Sequence, residues 1–131
     1  MAKKVLIVDD DPPLLEAVEM ALASEGFEIL KASNGARCMQ VVAEDSPDLV
    51  VLDINMPVMD GLQVLRVLRE NRATRNLPVI VLTARDEDLA VKQAWETGID
   101  FYITKPFDIG ELKLVVHRAL EAREPDAEEA D

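Results

Sequence analysis

The order of apolar runs along the chain predicts an α/β fold, a parallel sheet with helices covering both of its faces. Two observations carry that prediction. Short runs of consecutive apolar residues recur at Val5-Leu6-Ile7-Val8, Leu49-Val50-Val51-Leu52, Val79-Ile80-Val81-Leu82 and Phe101-Tyr102-Ile103, and runs of this length suit strands buried on both faces. Between them the apolar spacing becomes helical. Strand and helix then alternate five times along the chain, which calls for right-handed crossovers and a parallel sheet.

Local signals place each element. Asp11 stands where it can cap a first helix, Pro12 fits that helix's first turn, and Gly26 stops it near Glu25. Phe27 to Ala32 makes the second strand, and Asn34-Gly35 turns into a second helix through about Ala43. The third strand, ending at Asp53, lies between Pro47 and Pro57. Asp60 caps a third helix reaching about Asn71, with Leu62, Leu65 and Leu68 as its buried stripe. After the fourth strand, Asp86 to Thr97 reads as a helix closed by Gly98, and Asp108 to about Arg123 as the last one.

A chain of 131 residues with 49% hydrophobic content suits one core of ordinary domain size. No stretch approaches the roughly 20 apolar residues of a membrane span. Met-Ala-Lys-Lys runs straight into a strand without a signal-peptide pattern, so a cytosolic location and no membrane association are expected. Cys38 is the single cysteine; it has no disulfide partner or histidine cluster, and helix packing is its expected role. The formal charge of −12 argues against direct nucleic-acid binding through a basic surface. Glu124, Asp126, Glu128, Glu129 and Asp131 crowd the end of the chain beside Pro125. Residues 1–123 are therefore expected to form the domain, and 124–131 an acidic tail or the start of a linker.

The strands share one further property, because each predicted strand edge ends in polar chemistry. Asp9-Asp10-Asp11 follow the first, Asp53 ends the third, Thr83 ends the fourth, and Thr104-Lys105-Pro106 follow the fifth. In an open α/β sheet ligands bind outside the carboxyl ends of the strands, so these segments are expected to pool into one site. Like charges packed this closely raise one another's pKa unless a cation lies between them. Helix capping accounts for Asp11 but not for Asp9 and Asp10. Asp53 facing a second acidic cluster suggests a phosphoryl acceptor. Taken singly, Lys105 is most simply a surface lysine, Thr83 a strand-end threonine and Tyr102 a core aromatic; the constellation points further.

Val8-Asp9-Asp10-Asp11, Leu52-Asp53-Ile54-Asn55-Met56-Pro57, Met59-Asp60-Gly61, Leu82-Thr83-Ala84 and Tyr102-Ile103-Thr104-Lys105-Pro106-Phe107 together resemble the receiver domain of two-component response regulators, of the chemotaxis-regulator type. The resemblance covers about Lys4 to Ala122. It implies a flavodoxin-like, doubly wound five-stranded sheet of order 2-1-3-4-5 with five helices. By the same resemblance Asp53 is the phosphoacceptor, and Lys105 and Thr83 assist at the phosphoryl oxygens. Asp10 and Asp53 are direct ligands of Mg²⁺, with Mn²⁺ as a substitute; Asp9 acts through water and Asn55 through its backbone carbonyl. Thr83 and Tyr102 act as the switch that remodels the face of the fourth helix, fifth strand and fifth helix. Val91 and Trp95 lie four apart on one stripe that the resemblance places beside Tyr102, as a partner face. The Lys105–Pro106 bond is usually cis in such domains.

The implied partners are a histidine kinase or histidine phosphotransfer protein as donor and a downstream effector protein or effector domain, with a phosphorylation-linked homodimer as a further expectation. Such a chain is not a conventional enzyme; self-catalysed transfer to Asp53 and slow autodephosphorylation are expected. It is either a single-domain regulator or the receiver part of a larger regulator or hybrid kinase. Three other readings fit less well. An aspartate-nucleophile phosphatase needs a second aspartate two residues after the first, where Asn55 stands. A nucleotide- or flavin-binding module lacks its Gly-rich loop. A degenerate scaffold receiver is disfavoured because Asp9, Asp10, Asp53, Thr83 and Lys105 are all present. Arg85 and Asn55 occupy positions that vary among receivers and bear on phosphoryl lifetime, and Ile99 stands where alanine is common. His117, with no acidic partner at a recognisable spacing, reads as surface or packing.

Overall fold

A computed structural model describes residues 2–56, 60–84 and 88–123. Five strands alternate with five helices: β1 Lys4–Val8, α1 Pro12–Ala23, β2 Glu28–Ala32, α2 Gly35–Asp45, β3 Leu49–Asp53, α3 Gly61–Glu70, β4 Val79–Thr83, α4 Asp88–Thr97, β5 Phe101–Thr104 and α5 Ile109–Arg123. All pairings are parallel, and the order is β2-β1-β3-β4-β5. The expected doubly wound sheet is therefore the one observed.

Residues of period two divide the interior into two layers. Leu6, Val8, Val50, Leu52, Val79 and Val81 pack with Cys38, Val41, Val64, Leu65, Leu68 and Ala94, so α2, α3 and α4 cover one face. Val5, Ile7, Val51, Ile80, Leu82 and Ile103 pack with Leu15, Val18, Leu22, Leu112, Val116 and Leu120 beneath α1 and α5 on the other. Because β3 and β4 are buried at every position, a polar residue can emerge only where each strand ends. Cys38 packs inside the first layer, as expected, and burial pushes its thiol up to about 12.

Several local expectations are corrected. Asp11 occupies the position before α1, but its side chain makes no cap hydrogen bond; its backbone N–H instead donates to Asp9 Oδ1 at 3.0 Å, so the loop is organised by the neighbouring carboxylate. The first helix ends at Ala23 rather than near Glu25, followed by Gly26 at φ +92°, and β2 begins at Glu28, one residue after Phe27. The second helix runs on to Asp45, where Ser46 takes φ +47° to end it. In α3 the buried stripe is Val64, Leu65 and Leu68, with Leu62 only half-buried at its edge. Ile99 is buried in the first layer. Pro57, Met59, Arg85, Asp86 and residues 124–131 lie outside the described residues.

His117 is a surface packing residue, as expected, with a partner added by the fold. Its Nε2 lies 3.2 Å from Glu25 Oε1 and its ring 5.1 Å from that of Phe27. The acidic partner comes from the turn between α1 and β2, a separation of 92 residues that no sequence spacing exposes.

Candidate functional site

Strand register brings the polar ends level. Val8 pairs with Leu52, Asp53 with Leu82, and Thr83 with Thr104, so Asp9, Asp53, Thr83 and Lys105 meet along one edge of the sheet. Backbone bonds from Asp9 N to Ala32 O, Ile54 N to Leu82 O and Lys105 N to Thr83 O extend the ladders just past the strands and hold those exits in place.

Among the described residues, Asp9, Asp53 and Thr83 are the buried polar or charged ones, at 0%, 3% and 1% exposure. Their burial is costly unless each is paired. Lys105 Nζ donates to Asp9 Oδ2 at 2.7 Å and to Asp53 Oδ2 at 3.2 Å. The second oxygens are used as well: Asp9 Oδ1 accepts from Asp11 N, and Asp53 Oδ1 accepts from Asn55 N at 2.8 Å. The Thr83 hydroxyl donates to the Ala84 carbonyl at 3.2 Å. The Lys105–Pro106 bond that ends the cluster is cis.

One ammonium does not balance this group. Asp9, Asp10 and Asp53 each offer a carboxylate oxygen within 4.8 Å of the others, and Asp10 is exposed at the mouth. Burial pushes the Asp9 carboxyl above the usual carboxylate range, and the Asp53 charge adds to that, outweighing the Lys105 hydrogen bond. Burial alone would lower Lys105, but the bond to Asp9 and the charges of Asp53 and Asp9 win and raise it. The two shifts differ in origin: burial dominates at Asp9, whereas the neighbouring carboxylates dominate at Lys105. The donor set is oxygen only, three carboxylates, which suits a hard divalent cation that keeps several waters and disfavours a soft metal.

Reading the sequence alone assigned Gly61 no role. A Cβ there would lie 2.5 Å from Asp53 O and 2.5 Å from Ile54 Cα, so the start of α3 rests directly on the peptide after Asp53. The signal was present, since glycine is a poor choice inside a helix unless close approach demands it. Asp60 fixes that start by accepting from Gln63 N while Gln63 Oε1 accepts from Asp60 N.

The residues expected to form a partner face lie apart from the carboxylates. Trp95 and Tyr102 are each about half exposed, at 48% and 46%, and their rings meet edge-on at 6.3 Å and 90°. Val91 is half-buried on the same helix as Trp95. Tyr102 is thus a surface residue in this conformation, not a core aromatic.

The architecture has counterparts in known proteins. The response regulator receiver domain family model matches residues 5–117. A putative response regulator from Chloroflexus aurantiacus is 31% identical, with a TM-score of 0.87 over 92% of this chain and 99% of that one. The signal receiver domain of a signal transduction histidine kinase from Syntrophus aciditrophicus is 33% identical, with a TM-score of 0.85 over 92% of each chain. Chemotaxis protein CheY4 of Vibrio cholerae is 25% identical, with a TM-score of 0.85 over 91% of this chain and 99% of that one. With strand order, strand-end carboxylates and family model in agreement, the chain belongs to the receiver domains of two-component response regulators.

Proposed function

We propose that this protein is a phosphorylation-dependent switch in which Asp53 takes a phosphoryl group from a phosphohistidine on a histidine kinase or phosphotransfer protein. The observation that carries the reading is the convergence of Asp9, Asp53 and Lys105 at one buried strand edge. Receiver domains bind Mg²⁺ in an acidic pocket and interact with histidine kinases and effector domains. Residues 1–123 are taken as the receiver unit and 124–131 as a tail or linker.

A carboxylate oxygen of Asp53 attacks phosphorus in line; the new O–P bond forms as the donor's N–P bond breaks, and the released imidazole takes up a proton. Bonding of Asp53 Oδ1 to Asn55 N leaves Oδ2, now shared with Lys105, as the oxygen best placed to react. The Lys105 ammonium shifts to the phosphoryl oxygens as the carboxylate charge is consumed, and the Thr83 hydroxyl is the donor on the neighbouring strand end. Asp10, Asp53 and the Asn55 carbonyl, with Asp9 through water, would hold Mg²⁺ or Mn²⁺, which when bound would supply positive charge beside the phosphoryl group. Positioning and neutralisation do the work, so transfer is self-catalysed and hydrolysis slow.

The phosphoryl group carries roughly two negative charges where the carboxylate carried one; it acts on the residues around Thr83, and the output is a change at the α4-β5-α5 face bearing Val91, Trp95 and Tyr102. Replacing Trp95 with alanine is expected to weaken capture of the effector while leaving phosphorylation intact; unchanged capture removes that face from the account. The acceptor reading is tested by intact mass after incubation with a small-molecule phosphodonor and Mg²⁺. One added phosphoryl group is expected in the wild type and none in Asp53→Asn or with chelator, whereas no addition to folded, Mg²⁺-bound protein favours a scaffold that signals without phosphorylation.

A further inference from the structure

We propose that Gly61 is a positioning residue for the acceptor edge, setting the geometry of Asp53 and Asn55 through the backbone. The inference rests on the acceptor reading above and extends it to a residue with no reactive atom. The helix α3 begins at Gly61, and its missing side chain faces the carbonyl of Asp53 and the Cα of Ile54, both 2.5 Å from where a Cβ would stand. Both obstacles are backbone, so no side-chain rotation relieves the clash; the β3 exit or the helix start must move. Ordinary Cβ contacts begin near 3.4 Å, so the displacement approaches an ångström.

That displacement falls on the segment that matters most. Ile54 N is bonded to Leu82 O at 3.1 Å, which ties the exit to β4 on one side while α3 presses on it from the other. Asn55 follows at once, with its N–H bonded to Asp53 Oδ1 and its carbonyl in the proposed metal set. Movement of this peptide therefore rotates the acceptor carboxylate and shifts a metal-facing carbonyl together. The capping box between Asp60 and Gln63 makes the helix start stiff enough to act as the stop. By contrast, a Cβ at Gly110 would meet only the Asp108 carboxylate, at 3.2 Å, and has no route to the site.

The test compares Gly61→Ala, Asp60→Ala and Gly110→Ala with the wild type, measuring Mg²⁺ affinity by calorimetry and protection of the Asn55 amide by NMR, alongside thermal stability. Gly61→Ala is expected to weaken Mg²⁺ binding between about 10- and 100-fold, the range for a group that orients metal ligands, and to lose Asn55 protection. Asp60→Ala, which frees the same helix start without adding an atom, is expected to shift both in the same direction by less and decides the matter if Gly61→Ala does not fold. Gly110→Ala should leave both unchanged. Wild-type affinity and Asn55 protection in folded Gly61→Ala, or in Asp60→Ala where the former does not fold, overturn the proposal whatever the fall in melting temperature. Both readouts are independent of phosphoryl transfer, so a wild type that binds Mg²⁺ but accepts no phosphoryl group defeats the acceptor reading and leaves the positioning claim to be judged by itself.

Discussion

Two corners of the sheet use the same chemistry, charged side chains near backbone, to opposite ends. At the amino edge Arg69 donates to the carbonyls of Gly98, Thr74, Arg75 and Leu77 and lies 3.8 Å from Asp100. Asp100 in turn accepts from Val79 N, and Asp48 accepts from Lys4 N. Each charge there is spread over fixed backbone dipoles and closes a loop. At the carboxyl edge Asp9, Asp10 and Asp53 converge on Lys105, and the like charges remain uncompensated. The first arrangement holds the α3–β4 loop and the turn before β5 in place; the second is the edge to which the proposed cation and phosphoryl group are assigned. Unbalanced burial is where a protein departs from stability for function.

Exchanging the two roles by mutation is the sharpest way to break this contrast. Lys105→Met should lower the rate of phosphorylation at saturating Mg²⁺ about 100-fold, the loss typical of one preorganised charge donor and equal to about 2.7 kcal/mol. Stopped-flow or mass-resolved time courses read this directly, and an unchanged rate would mean the ammonium is structural. Arg69→Met should do the reverse. With several carbonyls losing their donor and Asp100 its neighbour, stability should fall by about 2 kcal/mol in denaturant titration, while the folded fraction is phosphorylated at the wild-type rate. A slowed reaction in Arg69→Met would join the two corners that the account separates.

The smallest effect concerns Asp9 in the metal-free protein. Its carboxyl is raised above 3.8 in the folded state, so the native form holds a proton that the unfolded chain has released. The slope of stability with pH is then negative across that window: stability falls as pH rises from the ordinary carboxylate range through the raised value, and the full penalty is present above it. Asp9→Asn is therefore expected to raise the melting temperature of the chelated protein at pH above that window, to flatten this part of the pH profile, and to weaken Mg²⁺ binding. A lowered melting temperature would show that the Lys105 pair, not burial, dominates Asp9.

Apolar runs of strand length separated by helical spacing made the architecture readable, because a strand buried on both faces leaves little else for Leu49–Leu52 or Val79–Leu82 to be. The same burial explains why the acceptor-site residues were readable: Asp9, Asp53, Thr83 and Lys105 sit where such runs stop. Strand order came from resemblance, since pairing depends on contacts between residues distant in sequence. For that reason too, the sequence did not reveal that Lys105 touches Asp9 and Asp53 across separations of 96 and 52 residues, or that Glu25 reaches His117. Asp11 misled because the capping rule describes a residue alone, whereas here the preceding Asp9 takes its N–H. Gly61 belongs to the Met59-Asp60-Gly61 motif, but only the fold supplies the peptide it rests on.

The central claim is that the strand-end carboxylate of Asp53 is the acceptor, and chemical trapping tests it most directly. Protein treated with phosphodonor and Mg²⁺ is reduced with borohydride, which converts an acyl phosphate to the alcohol and so turns the modified aspartate into homoserine, and peptide masses then locate it. The account predicts homoserine at position 53 alone, dependent on Mg²⁺. Homoserine at Asp9, Asp10 or an exposed carboxylate, with Asp53 intact in folded protein, would contradict it.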